Sequence, residues 1–148
     1  MTEIAFHFNA PDKLAYACRL LRKAVATHAK VVVVVAPEHL AHLDESLWTF
    51  SQLEFLPHCR MESPQALRQA SPVHLTSDLQ AMDDLTPRDV LLNLGVQVCA
   101  GFEQFARLIE VVSLDESDRQ HARSRWKHYT DQGFNIVRHD LKLKESAI

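Results

Sequence analysis

Arg119, Arg123 and Lys127 recur every fourth residue near the C-terminal end of the sequence, with Ala122, Trp126 and Tyr129 interleaved. On a helix, residues three or four apart share one stripe of surface. The spacing therefore predicts a cationic stripe beside an apolar, aromatic one. Guanidinium groups offer planar forks that match carboxylates. An exposed ion pair contributes only about 0–1 kcal/mol, so such a stripe holds a ligand only where an apolar pocket adds to it. Trp126 is the candidate wall. This is chemistry of recognition, suited to an acidic peptide with a hydrophobic anchor. Arg125 adds to the local concentration of basic residues in a chain whose formal net charge is −3.

A second cluster is Leu43-Asp-Glu-Ser-Leu-Trp48, followed by Phe55-Leu-Pro-His58. Large aromatic residues at the ends of elements are enriched at protein interfaces. Trp48, Phe55 and Pro57 are the candidate interface residues here.

Catalytic patterns are hard to assemble. The loop after the first predicted strand is Asn9-Ala-Pro-Asp, and the chain has three glycines, so neither GxGxxG nor a P-loop can be built. The nine histidines show no HExxH and no Cys/His cluster with zinc spacing. Cys59 directly follows His58, and adjacent side chains rarely aim at one another. Ser46 and Ser51 lie outside any G-x-S-x-G context. The expectation is a protein with no active site, cofactor or metal.

The 148 residues, 47% hydrophobic and 24% charged, suit one globular domain. At this size roughly 70% of the unfolded surface is buried on folding. A sequence pI of about 6.3 is not that of a general nucleic-acid binder. Three well-separated cysteines predict reduced thiols and a cytoplasmic setting. No signal peptide is indicated, and Val31–Ala36 is too short to cross a membrane.

The elements that position these residues read as follows. Glu3–Phe8 is a strand, Asn9–Asp12 a turn, and Lys13–His28 an amphipathic helix. Lys30–Val35 is a strand apolar on both faces, as in a sheet covered by helices on each side. Pro37–Trp48 is a helix and Ser51–His58 irregular. Residues 59–87 are polar and loop-rich, with a possible short strand at Val73–Leu75. Asp89–Leu94 and Ile109–Leu114 are strands, with a turn of helix near Phe102. The last helix opens on a capping box, Ser117-Asp-Arg-Gln120, and ends at Gly133 as a left-handed C-cap. Phe134–Leu143 is extended or a final strand, and residues 144–148 a frayed tail. This alternation predicts an α/β fold: a single three-layer, Rossmann-like domain over 1–148, its sheet mostly parallel with helices on both faces.

Taken in order, Leu43–Trp48, Phe55–His58, Asp89-Val-Leu-Leu-Asn-Leu94, Ala122-Arg-Ser-Arg-Trp-Lys-His-Tyr129 and Gly133-Phe-Asn135 resemble the chi subunit family of bacterial DNA polymerase III. The resemblance implies a non-catalytic accessory subunit of the clamp-loader complex. It implies two partners: the psi subunit, and the acidic C-terminal tail of single-stranded-DNA-binding protein, which ends in a hydrophobic residue and a free carboxylate. By position, Arg119, Arg123, Trp126, Lys127 and Gly133 fall in the family's tail-binding region. Trp48, Phe55 and Pro57 fall in its psi-facing region, a surface similar to one used by an accessory helicase in some bacteria. Trp126 stands where the family often has Tyr, and residues 59–87 show no match. Nucleic acid would be reached only indirectly. The competing expectations are direct binding of single-stranded nucleic acid by the Arg119/Arg123/Lys127 stripe with Trp126 stacking on a base, and a small enzyme using the strand ends.

Overall fold

The structure, a computed structural model, describes residues 1–49 and 57–142. Its chain order is β1 (Glu3–Ala10), α1 (Lys13–Ala26), β2 (Val31–Val34), α2 (Pro37–Thr49), β3 (His58–Arg60), α3 (Gln65–Ala70) and β4 (Val73–Thr76). Then come β5 (Val90–Asn93), β6 (Arg107–Ser113), α4 (Glu116–Asp131) and β7 (Ile136–Asp140), with single 3-10 turns at Leu79–Ala81 and Phe102–Gln104. The seven strands form one sheet in the order β3-β4-β2-β5-β6-β1-β7. Every pairing among them is parallel.

Topology decides which helix covers which face. Parallel strands are joined by right-handed crossovers. The steps β1→β2 and β2→β3 run one way along the sheet, and all later steps run the other way, so the helices divide between the two faces. α1 and α2 bury Ala17, Cys18, Leu21, Leu43 and Leu47 against Val31, Val33, Val35 and Leu92. α4 and the Phe102 turn bury Ala122, Tyr129 and Phe102 against Ile4, Phe6, Val32, Leu91 and Leu108. Alternate residues of one strand thus enter opposite cores, which explains the unbroken valine run of β2.

Several expectations need correction. Residues 59–87 are not mainly loop; they contain β3, α3 and β4. β3 is three residues of polar sequence, His58-Cys59-Arg60, and forms because β4 offers it a pairing edge. β1 continues through Asn9 to Ala10, past the expected turn, with Asn9 at φ 66 and a register shift there. Asparagine tolerates that left-handed backbone, and its amide donates to Asp140 of β7 at 2.9 Å. α4 begins two residues earlier than the capping box implies. Asp115, not Ser117, is the N-cap, its carboxylate accepting from the Asp118 N–H at 3.1 Å. Phe55 and the tail at 144–148 lie outside the described residues.

Candidate functional site

Because α4 connects β6 to β7, it crosses over β1, the strand between them. Phe6 and Phe8, two apart on β1, rise toward α4 on one face. The register sets Arg138 of β7 directly beside Phe6. The result is a pocket of about 420 Å3 lined by Phe6, Phe8, Val112, Ala122, Trp126, Arg119, Arg123 and Arg138. That volume is in the range of ligand pockets, roughly 300–1,000 Å3. Its apolar base is rings and aliphatic groups, with the Trp126 and Phe6 ring centroids 5.1 Å apart. Its rim is three guanidinium groups.

Of the α4 residues expected at such a site, Arg119, Arg123 and Trp126 meet there. Lys127 is exposed on the same helix outside the lining. Gly133 lies beyond the helix end at φ 86, with open space where a Cβ would project. Its N–H bonds the Thr130 carbonyl at 3.0 Å, closing the helix. Arg123 is 62% exposed and paired with Glu116 at 3.3 Å.

Ala122 and Tyr129 of the expected aromatic stripe are core, and so is Arg125, counted above among the concentrated basic residues. Asp118, Ala122, Arg125 and Tyr129 form the stripe of α4 that faces the sheet. Arg125 is 1% exposed, and Tyr129 is fully buried. They meet Glu110, a fully buried carboxylate in the middle of β6. Arg125 Nε donates to Glu110 at 3.1 Å and its Nη1 to the Val96 carbonyl at 2.9 Å. The Tyr129 hydroxyl and the Asn93 amide also donate to Glu110. Burial pushes the Glu110 carboxyl above its ordinary range, while Arg125, Tyr129 and Asn93 oppose that rise. Burial likewise pushes the Tyr129 hydroxyl up, helped by Glu110. A buried charge is tolerated only when paired and hydrogen-bonded. The sequence signal was Glu110 itself, alone in the apolar run Ile109–Val112, which demands a cation from the covering helix. For Arg138 and the phenylalanines the sequence carried only the alternation of β1; strand register brought them in.

The second expected site lies at the far end of the sheet. Trp48, at the end of α2, is 60% exposed and stands edge-on to His58, with centroids 5.3 Å apart. Asp44 accepts from His58 Nε2 and Arg60 Nε, both at 2.7 Å, tying α2 to β3. Pro57 is half-buried before β3.

A crevice of about 380 Å3 lies at the C-terminal ends of β2, β4 and β5, where open α/β sheets often bind ligands. Asn93 at its mouth is engaged internally: it accepts from the Gly95 N–H and donates to Gln97 and Glu110. Burial pushes the Cys99 thiol there up to about 12, far from a reactive thiolate. Among the described residues, no group of three or more His, Cys, Asp or Glu is placed to hold a metal. None of their helices is long and apolar enough to cross a membrane.

The fold and its best-built site define a parallel α/β protein with a surface pocket of about 420 Å3, greasy at the base and cationic at the rim. Residues 1–137 match the family described as DNA polymerase III chi subunit, HolC, and the chain belongs to that family. It is similar to the DNA polymerase III subunit chi of Pseudomonas aeruginosa, at 31% identity covering 95% of this chain and 98% of that protein. It is also similar to the chi subunits of Haemophilus influenzae, at 29% identity over 81% of each chain, and of Escherichia coli, at 27% over 80% and 79%. Membership makes it an accessory subunit of the replicative polymerase, with partners in that complex.

Proposed function

We propose that the protein is a non-catalytic bridge, joining the psi subunit of the clamp loader to the acidic C-terminal tail of single-stranded-DNA-binding protein. One observation carries the tail reading: three arginines from two elements rim a pocket whose base is Phe6, Phe8, Val112, Ala122 and Trp126. A hydrophobic last residue enters among the rings, and upstream aspartates meet Arg119 and Arg123. Lys127, one turn further along α4, meets the tail outside the pocket, and Gly133 fixes where the helix stops. An apolar anchor among weak surface charges gives an affinity of micromolar class, about −8 kcal/mol. It weakens with salt and rises when several tails share one DNA-bound oligomer.

The psi subunit, or an accessory helicase in its place, docks on the exposed Trp48 with Pro57 beside it; Phe55 belongs to the same proposal but lies outside the described residues. Titration calorimetry with a short acidic peptide ending in phenylalanine tests the tail reading. Arg123→Glu should abolish the heat of binding, and binding at wild-type strength would defeat the reading. Tighter binding of bare single-stranded DNA, with a steep salt slope, would favour direct nucleic-acid recognition instead.

A further inference from the structure

We propose that the solvent face of α1 is a contact surface for the phosphodiester backbone of single-stranded DNA. Residues 13–37 carry five cations, Lys13, Arg19, Arg22, Lys23 and Lys30, and no acid, in a chain whose formal net charge is −3. Lys13 is bound to Asp118. Further along, α1 turns Ala17, Cys18 and Leu21 into the core and leaves Arg19, Arg22 and Lys23 exposed on the opposite side. Those three are spaced by three and four residues, so they form one stripe. Elsewhere, Arg60, Arg68, Arg123 and Arg125 each lie against a carboxylate. Among the described residues, Arg19, Lys23 and Lys30 are in no ion pair. Arg19 and Lys23, one turn apart, repel each other, and a polyanion that spans them removes that repulsion.

The Arg19 guanidinium lies over the Tyr16 ring, its Cζ 5.9 Å from the centroid, which holds the fork in place before a ligand arrives. At Lys23 the stripe runs onto a groove of about 290 Å3 between the C-terminal half of α1 and strands β6, β1 and β7, where Leu20, Ala24 and Ile109 lie among Lys23, Arg107 and His139. A duplex is too wide for that groove; a single sugar–phosphate backbone is not. The contact tracks the backbone and should be indifferent to base sequence. In an accessory subunit of a replicative polymerase, a single strand is a polyanion close at hand. α1 covers the sheet face opposite α4, so the contact neither rests on tail docking nor competes with it.

The test is fluorescence anisotropy of a labelled oligo-dT strand titrated with the whole protein, beginning at low salt. Single strands release about 0.7 counterions per phosphate contact, so four contacts, from Arg19, Arg22, Lys23 and Arg107, give a log–log salt slope of about −3. Affinity should then fall about a thousandfold for each tenfold rise in salt. The triple variant Arg19→Gln, Arg22→Gln, Lys23→Gln should bind more than tenfold more weakly, with a slope near about −1. Glutamine preserves helix propensity, and a thermal melt verifies the fold. Lys23→Gln alone should reduce the slope by about 0.7. Calorimetry with the acidic peptide should be unchanged in both variants, so this assignment and tail docking fail separately. The assignment is overturned if wild type leaves the strand unbound at low salt, if the triple variant binds as wild type does, or if Arg119→Gln with Arg123→Gln removes the binding instead. Tighter binding of a duplex would overturn the choice of a single strand. Equal affinity for poly-glutamate of matched charge would make the partner an acidic protein surface and overturn the assignment to DNA.

Discussion

Arg123 and Arg125 are two residues apart on one helix, and their replacement by alanine should give opposite phenotypes. Arg123 faces solvent in a pair with Glu116 that is exposed on both sides. Such pairs contribute about 0–1 kcal/mol, so Arg123→Ala should leave stability nearly unchanged and weaken peptide binding. Arg125 is sealed against Glu110, 1% and 0% exposed. Its removal leaves a buried carboxylate with only the Tyr129 and Asn93 hydrogen bonds, and breaking such a pair costs about 3–5 kcal/mol. At about 2–4 °C per kcal/mol for a chain of this size, the melting temperature should fall by roughly 6–20 °C. Burial holds the folded Glu110 pKa above its unfolded value. Folding therefore takes up a proton, and the unpaired carboxylate destabilises increasingly as pH rises from the unfolded value of about 4.3 through the folded one. The Arg125→Ala deficit should be smallest near pH 4 and largest at neutral pH. Adding Glu110→Gln should recover part of it. Urea denaturation followed by circular dichroism, across that pH range, measures both. A loss below about 1 kcal/mol for Arg125→Ala at pH 7, matching that of Arg123→Ala, would refute the buried-pair account.

Other outcomes follow from the same geometry. Gly133→Ala should cost about 1 kcal/mol in urea titration, from the left-handed backbone and not from crowding; an unchanged midpoint would contradict this. Arg68 donates two hydrogen bonds to Asp83, at 2.9 and 2.7 Å, and holds its carboxyl at about 2. That depressed acid stabilises the fold above the unfolded pKa near 4 and ceases to do so as pH falls toward 2. Asp83→Asn should therefore flatten the melting-temperature slope in that window, and an undiminished slope would show that other carboxylates set it. Trp48→Ala should leave stability within about 0.5 kcal/mol and prevent co-purification with psi; an intact complex would move the psi surface elsewhere.

The sequence by itself determined the fold class. β-branched runs alternating with amphipathic helices leave few solutions other than a covered parallel sheet, and helical spacing put Arg119, Arg123 and Trp126 on neighbouring stripes. It did not reveal β3 or α3, because short polar segments acquire their structure from a neighbouring strand and not from their own pattern. It did not distinguish Arg123 from Arg125 either. Side-chain type reports charge, whereas the orientation of α4 about its axis depends on what lies beneath it, here Glu110 at 3.1 Å from the Arg125 guanidinium. The pocket is likewise a product of tertiary structure. Phe6 is far along the chain from Trp126 and Arg138, and only the crossover of α4 above β1 and the β1–β7 register bring the three to one pocket.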